Sequence, residues 1–310
     1  MATKVDLDTA RRFLIERYGP GVTGVAPLRQ GVWSSAYGFD LDGRPLVVRF
    51  GRHRDDFVRD RLATRYASSD LPIPRIVEIG DALDGSFAIS ERAFGTYIDG
   101  IDEAGMRRVL PSLFATLDAA RRVRLGDDAG FGGWDGAGRA PHPTWRAALL
   151  DIATDKATRL GPSWRAALAA TSVGTGPFDA AFEAMTALVD HCPEERHLVH
   201  SDLLHFNVLV ADDRVTAVLD WGSSIYGDFL FDVAWLTFWA PWYPAWSRID
   251  FAHEAAEHYR SIGLAVPYFE ERLRCYEFYI GLASQGWYAQ TGEIANLERT
   301  ATRILERATR

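Results

Sequence analysis

The stretch His197–Trp221, HLVHSDLLHFNVLVADDRVTAVLDW, decides how the rest of the 310-residue chain is read. A short apolar run leads into His200, Asp202 and Asn207, in the order H-x-D-x-x-x-x-N. Two apolar runs follow, Val208–Val210 and Val215–Leu219, separated by Asp212-Asp213-Arg214, and the second ends in Asp220. Short apolar runs broken by a polar turn read as a β-hairpin. The spacing therefore predicts a loop feeding a hairpin, with the polar side chains gathered at one end of it.

That grouping has a chemical logic. Phosphoryl transfer from a nucleoside triphosphate needs an acceptor hydroxyl in line with the γ-phosphate and metal ions that neutralise the triphosphate. Asp202 is placed to accept the hydroxyl proton. The amide oxygen of Asn207 and the carboxylate of Asp220 are hard donors that suit Mg²⁺. His200 is expected to brace the loop through hydrogen bonds. Protein kinases carry H-R-D, an Asn five residues after the Asp, and a metal-binding Asp further on. Here Ser201 replaces the Arg, so a phosphorylated activation loop has nothing to pair with, and Asp220-Trp221-Gly222 stands where a protein kinase has Asp-Phe-Gly. Any one of these residues reads equally well as a cap or turn residue. The four features in one order do not.

Upstream, Asp6–Tyr18 reads as a helix capped by Asp6 and stopped by Gly19-Pro20. Val25–Gln30, Ser35–Leu41, Pro45–Phe50, Arg75–Gly80 and Ser86–Arg92 read as strands, with Asp42-Gly43 and Asp84-Gly85 as hairpin signals. A five-stranded antiparallel sheet with a helix over Asp55–Ala67 follows. Taken alone the turn Gln30–Ser35 reads as an ordinary β-turn, but it sits where a kinase-like protein covers ATP phosphates, so with the downstream motif the Gly31 backbone and the Ser34 and Ser35 hydroxyls become candidate ligands. A cation is needed on the third strand to reach the phosphates. It is Arg49, which can grip phosphate bidentately where Lys is usual. The sheet should leave through a hinge at about residues 90–95.

Beyond the hinge the pattern is mainly helical. Glu103–Leu125 reads as one helix with a possible break at Pro111, and Gly126–Pro143 as an extended loop. Helices are expected at Trp145–Ala157 (capped by Thr144), Ser163–Thr171, Phe178–His191, from Asp228, and at Phe251–Ile262, Tyr268–Ala289 and Ile294–Arg307. Asp232 is expected to bond to the catalytic segment. Trp235, Phe238, Trp239 and Trp242 share one helical face, suited either to core packing or to stacking on a sugar.

Together, YASSDLPIP at Tyr66–Pro74, TWR at Thr144–Arg146, DHCPEERHLVH at Asp190–His200, VLDW at Val218–Trp221 and FWAPW at Phe238–Trp242 resemble the aminoglycoside phosphotransferases, in the same order. The likeness spans most of the chain and is nearest to members that act on hygromycin B. It implies a protein-kinase-like α+β fold in two lobes, residues 1–92 binding nucleotide and residues 93–310 carrying the catalytic loop and acceptor site. It implies ATP and Mg²⁺ as cofactors and an antibiotic-resistance activity. It also selects Asp60, ahead of Asp56, as the partner of Arg49, and points to the Glu91 carbonyl and Ala93 amide as adenine contacts. Between Asp202 and Asn207 the residues depart from that pattern, and His205 could face the acceptor. Trp235, Trp239, Trp242 and Glu277 are the further acceptor candidates, Glu277 as a partner for an ammonium group.

The balance of 34 basic against 42 acidic residues, a formal charge of −8, disfavours nucleic acid and anionic membranes and suits a polycationic substrate. Cys192 and Cys275 show no metal-ligand spacing, and no run of about 18 apolar residues occurs. The expectation is a cytoplasmic enzyme that phosphorylates an aminoglycoside hydroxyl, hygromycin B first among acceptors. Another polyol or amino-alcohol (a different antibiotic, choline or a sugar) is the alternative acceptor. A kinase-like module that binds nucleotide without catalysis is the alternative from another class. Oligomeric state is not readable from the sequence.

Overall fold

The computed structural model describes residues 4–308. Helix α1 (Leu7–Tyr18) begins where the Asp6 carboxylate accepts the Thr9 amide at 2.8 Å and ends at Gly19, whose φ of 76° suits a residue without a Cβ. Strands β1 (Val22–Pro27), β2 (Ser34–Leu41) and β3 (Arg44–Gly51) follow, then helix α2 (Arg54–Ala63) and strands β4 (Ile76–Ala82) and β5 (Gly85–Glu91). They form the expected five-stranded antiparallel sheet in the order β1-β2-β3-β5-β4. β1 starts earlier than its apolar run suggested. Val22 pairs with Leu41 at the far end of β2, and a bulge between Thr23 and Ala26 restores the register. Phe39, Val48 and Phe87, all fully buried, pack one face of the sheet against Ala10 and Leu14 of α1.

Past the hinge come β6 (Thr96–Tyr97), α3 (Glu103–Arg121), β7 (Gly132–Gly133), α4 (Trp145–Leu150), α5 (Trp164–Ala169) and α6 (Gly176–Leu188). Then follow β8 (His197–Val199), β9 (Val208–Ala211), β10 (Arg214–Val218) and β11 (Ile225–Gly227). Helices α7 (Leu230–Trp239), α8 (Phe251–Ser261), α9 (Phe269–Thr291) and α10 (Ile294–Ala308) complete the fold.

Two expectations change here. Pro111 lies inside an unbroken α3, which loses one backbone bond there but stays seated through Met106, Leu110, Leu113 and Phe114. α4 ends at Leu150, not Ala157, because the apolar period stops there and Asp151 turns to pair with Lys156.

The hairpin β9–β10 turns on Asp212 and Asp213, both left-handed (φ 49° and 59°), the two-residue geometry that matches strand twist. β6 pairs with β9, so the chain leaving the first sheet is stitched at once to the catalytic hairpin. A second small sheet, β7-β11-β8, backs the segment from the other side. The larger core takes in Leu62, Ala63, Leu71 and Ile73 from before the hinge, so the end of α2 packs with the C-terminal part.

Asp228, just before α7, accepts the Leu230 amide on its carboxylate at 3.2 Å, although Phe229 is the cap residue. Its main partner is Arg272 on α9, gripped through two bonds of 2.8 and 2.6 Å, with the Tyr276 hydroxyl as a third donor. The whole group is buried. Removing one member of a buried pair leaves an uncompensated charge. Arg272→Met should therefore lower the unfolding free energy by about 3–5 kcal/mol, as read from urea denaturation.

Candidate active site

β8 delivers the chain to His200 and Ser201, whose backbone amides both donate to the Asp232 carboxylate, at 2.9 and 2.8 Å. Asp232 thus makes the expected bond to the catalytic segment. Ser201 is left-handed (φ 59°), and its hydroxyl donates to the Ser223 carbonyl at 2.6 Å. The buried His200 ring donates from Nε2 to the Leu219 carbonyl at 2.8 Å and accepts the Asp202 amide on Nδ1 at 3.2 Å. It ties the loop to the hairpin's end, as a brace would.

Asp202 follows with both carboxylate oxygens engaged. Oδ1 lies 3.0 Å from His205 Nδ1, and Oδ2 accepts Asn207 Nδ2 at 3.2 Å. Asn207 Nδ2 also donates to the Asp202 carbonyl at 2.7 Å, so its amide oxygen is turned the other way. Burial pushes the Asp202 carboxyl above the usual carboxylate range, against the opposing pull of His205. For His205 burial opposes charging, but the Asp202 carboxylate outweighs it and the ring's pKa is raised.

Asp99, just past the hinge, holds the rest of the loop and was not visible in the sequence pattern. Its carboxylate accepts the amides of His205 at 2.8 Å and Phe206 at 2.9 Å, and the Tyr243 hydroxyl at 2.7 Å. Both amides belong to left-handed residues (φ 64° and 73°).

Asp220, two residues past β10, is left-handed and is followed by the Trp221 amide, which donates to Asp60 Oδ1 at 2.7 Å. The other oxygen of Asp60 pairs with Arg49, as the resemblance implied. Burial works against the Arg49 charge, but Asp60 and then Asp220 outweigh it and raise its pKa. Asp56, the runner-up, is taken by a two-pronged pair with Arg159 at 2.7 and 2.8 Å.

In the turn before β2, the Gly31 amide donates to the Ser34 carbonyl at 3.0 Å. Ser34 lies beside Gly31, but Ser35 does not share that position. Strand alternation turns Ser35 inward, where it is buried and accepts the Val5 amide at 3.2 Å, which removes it from the phosphate-facing set. At the hinge the Glu91 amide donates to the Arg75 carbonyl, and among the described residues the Ala93 amide donates no hydrogen bond.

The His205 ring meets Trp239 edge-on at 5.3 Å and Trp235 at 6.2 Å, and Trp239 leans on Trp242 at 5.0 Å. Trp235 and Trp239 thus reach the catalytic loop, but Trp239 is buried in the core and Trp242 lies behind it under Arg299, so neither has a face open to an acceptor and Trp235 alone remains half-buried beside the loop. Glu277 does not join them. It is buried on α9 and neutralised by Arg307 at 2.7 Å, with Arg303 4.0 Å away, which leaves it no role toward an ammonium group.

The sequence model of the phosphotransferase enzyme family matches residues 24–268. The chain belongs to this family. It is 33% identical over 236 residues to hygromycin-B 4-O-kinase from Escherichia coli, covering 76% of this chain and 67% of that protein. Among solved structures, aminoglycoside phosphotransferase APH(4)-Ia superposes with a TM-score of 0.85 at 28% identity, over 98% of this chain and 99% of that one. A thermostable mutant of the same protein, in ternary complex with AMP-PNP and hygromycin B, gives 0.84 at 29% identity over 96% and 97%. The fold is therefore the kinase-like one expected for an aminoglycoside phosphotransferase.

Within this phosphotransferase, Asp99 is the clearest residue that sequence reasoning missed, since it lies more than a hundred positions from the amides it accepts. A hydrogen bond to a charged group is worth about 1.5–3 kcal/mol, and the loop relaxes when it is lost. Asp99→Ala should cost about 2–4 kcal/mol in urea unfolding and slow turnover at saturating substrate.

Proposed function

We propose that the chain transfers the γ-phosphoryl group of ATP to a hydroxyl of an aminoglycoside, with hygromycin B the first acceptor to test. The carrying observation is the Asp202 carboxylate, oriented by His205 and Asn207, in the same segment that ends in Asp220 and meets Arg49 through Asp60. Kinship with hygromycin-B 4-O-kinase and with a structure holding AMP-PNP and hygromycin B supports both substrates. The net charge of −8 suits a polycation. On this reading residues 1–92 hold the nucleotide and residues 93–310 the acceptor. The reaction belongs in the cytoplasm, where ATP is available, and would confer resistance to the antibiotic. No helix among the described residues is long and apolar enough to cross a membrane.

In the step proposed, the acceptor oxygen attacks the γ-phosphorus as its proton passes to Asp202. The bond from that phosphorus to the β–γ bridging oxygen breaks, and ADP leaves. Arg49 and the Gly31–Ser34 turn hold phosphate oxygens, and the Glu91 carbonyl and Ala93 amide hold the adenine. Asn207 and Asp220 fit a Mg²⁺ ion. The Asn207 amide nitrogen is committed to Asp202, which leaves its oxygen as the donor, and Asp220 supplies a carboxylate. Such an ion neutralises charge on the triphosphate when bound. His205 and the half-buried Trp235 form the wall that the sugar rings would meet, with the buried Trp239 behind them.

A coupled ADP-release assay with Mg-ATP, hygromycin B and a panel of aminoglycosides tests the reading. Turnover with hygromycin B should fall about 10²–10⁴-fold in Asp202→Ala. Full activity in that variant would remove Asp202 as base, and activity only on other acceptors would replace the substrate while keeping the chemistry. The pH profile gives an independent check. The active form of Asp202 is deprotonated and its pKa is raised, so activity should persist above that value and fall as pH drops through it. The acid limb of kcat/KM should therefore lie above the ordinary carboxylate range.

A further inference from the structure

The turn between β1 and β2 carries a cation that the reaction just described leaves unused. Arg29 is exposed, and among the described residues no carboxylate pairs with it. Its guanidinium carbon instead lies 3.0 Å from the centroid of the Phe206 ring, on the catalytic loop of the opposite lobe. The guanidinium thus sits over the ring face in a cation–π contact. Stacking of this kind uses the faces of the guanidinium and leaves its N–H donors, which point outward in its plane, free for another partner.

Both sides of the contact are held in place. The Gln30 side chain folds the turn back on its own strand, bonding the Leu28 carbonyl at 2.8 Å and the Ala36 carbonyl at 3.0 Å. Opposite, Phe206 keeps its left-handed backbone through Asp99, and its ring meets the edge of Tyr97, just past the hinge, at 5.6 Å. Phe206 directly precedes Asn207. At the other end of the turn, Trp33 meets Trp287 of α9 edge-on at 5.7 Å, so both ends touch the C-terminal part. A free, flat, fork-shaped cation is thus parked on an aromatic platform beside the residues assigned to the triphosphate.

We propose that Arg29 is a nucleotide-binding residue. It grips the polyphosphate with its in-plane donors while Phe206 supports its face, and it supplies uncompensated positive charge where Arg49 is already neutralised by Asp60. The proposal rests on the ATP-dependent reading above and names a contact that reading does not contain.

The test measures binding directly, without acceptor. Titration calorimetry of the full chain with adenosine, AMP, ADP and ATP in Mg²⁺ would compare the unmodified protein with Arg29→Ala, Arg29→Lys and Phe206→Leu. Arg29→Ala should weaken ADP and ATP about 10-fold and leave adenosine unchanged. Arg29→Lys, which keeps charge but not the flat fork, should recover part of the loss, and Phe206→Leu should show the same phosphate-dependent pattern more weakly. ATP affinity within about 2-fold in Arg29→Ala, where an ordinary charged hydrogen bond is worth more, overturns the proposal. So does an equal loss for adenosine, which would make the contact a clasp between lobes and nothing more. Thermal unfolding of each variant checks that it is folded, and Arg29→Lys is read alone if Arg29→Ala is not. An unmodified chain that binds no nucleotide overturns the phosphotransferase reading as well, whereas tight binding unaffected by Arg29 overturns this proposal only.

Discussion

One carboxylate, Asp60, holds two parts of the molecule that the chain reaches at very different times. One oxygen pairs with Arg49 on β3, and the other accepts the amide of Trp221, directly after Asp220. Asp60 is only 4% exposed, so its charge has no water to fall back on and depends on Arg49. Such a pair is stable only if each member stays in place, because an unpaired buried charge costs several kcal/mol. The helix that carries Asp60 is thereby fixed to the sheet on one side and to the catalytic segment on the other. Its last residues, Leu62 and Ala63, complete the attachment by packing into the larger core. Further cross-links run the same way. Arg59 donates to the Gly222 carbonyl at 2.5 Å, and Asp56 takes Arg159 from the loop before α5.

The catalytic segment repeats this device. Ser201, His205, Phe206 and Asp220 all lie in the left-handed region without being glycine, a conformation that side chains normally resist. Each departure is met by a carboxylate that accepts backbone amides at or beside it: Asp232 for His200 and Ser201, Asp99 for His205 and Phe206, Asp60 for Trp221. Backbone strain of about 1–3 kcal/mol per residue persists only where the surroundings over-determine it. Here the over-determination comes from three acids on three separate elements. They leave Asp202 as the carboxylate in the loop that faces side chains, with its two oxygens on His205 and Asn207.

Local chemistry was legible wherever a residue's partner lay close in the chain. Asp6 capped its helix, Asp212-Asp213 turned the hairpin, and the five strands announced themselves by apolar runs and Asp-Gly turns. The order His200, Asp202, Asn207, Asp220 carried the site, because one loop and one hairpin hold all four. Family likeness supplied Asp60 where spacing alone offered two acids.

The remainder was settled by burial and by contacts across the fold. Ser35 and Glu277 had suitable chemistry, but strand alternation turned one toward Val5 and helix packing set the other against Arg307. Asp99 and Arg29 carry no local pattern, since what matters about each is the residue it meets more than a hundred positions away. The sequence by itself determined the elements, the reaction class and the residues of the catalytic loop, all properties of short range. Only the tertiary structure decided which charges are neutralised and which remain free to meet a substrate, because that depends on distance in space and on exclusion of water.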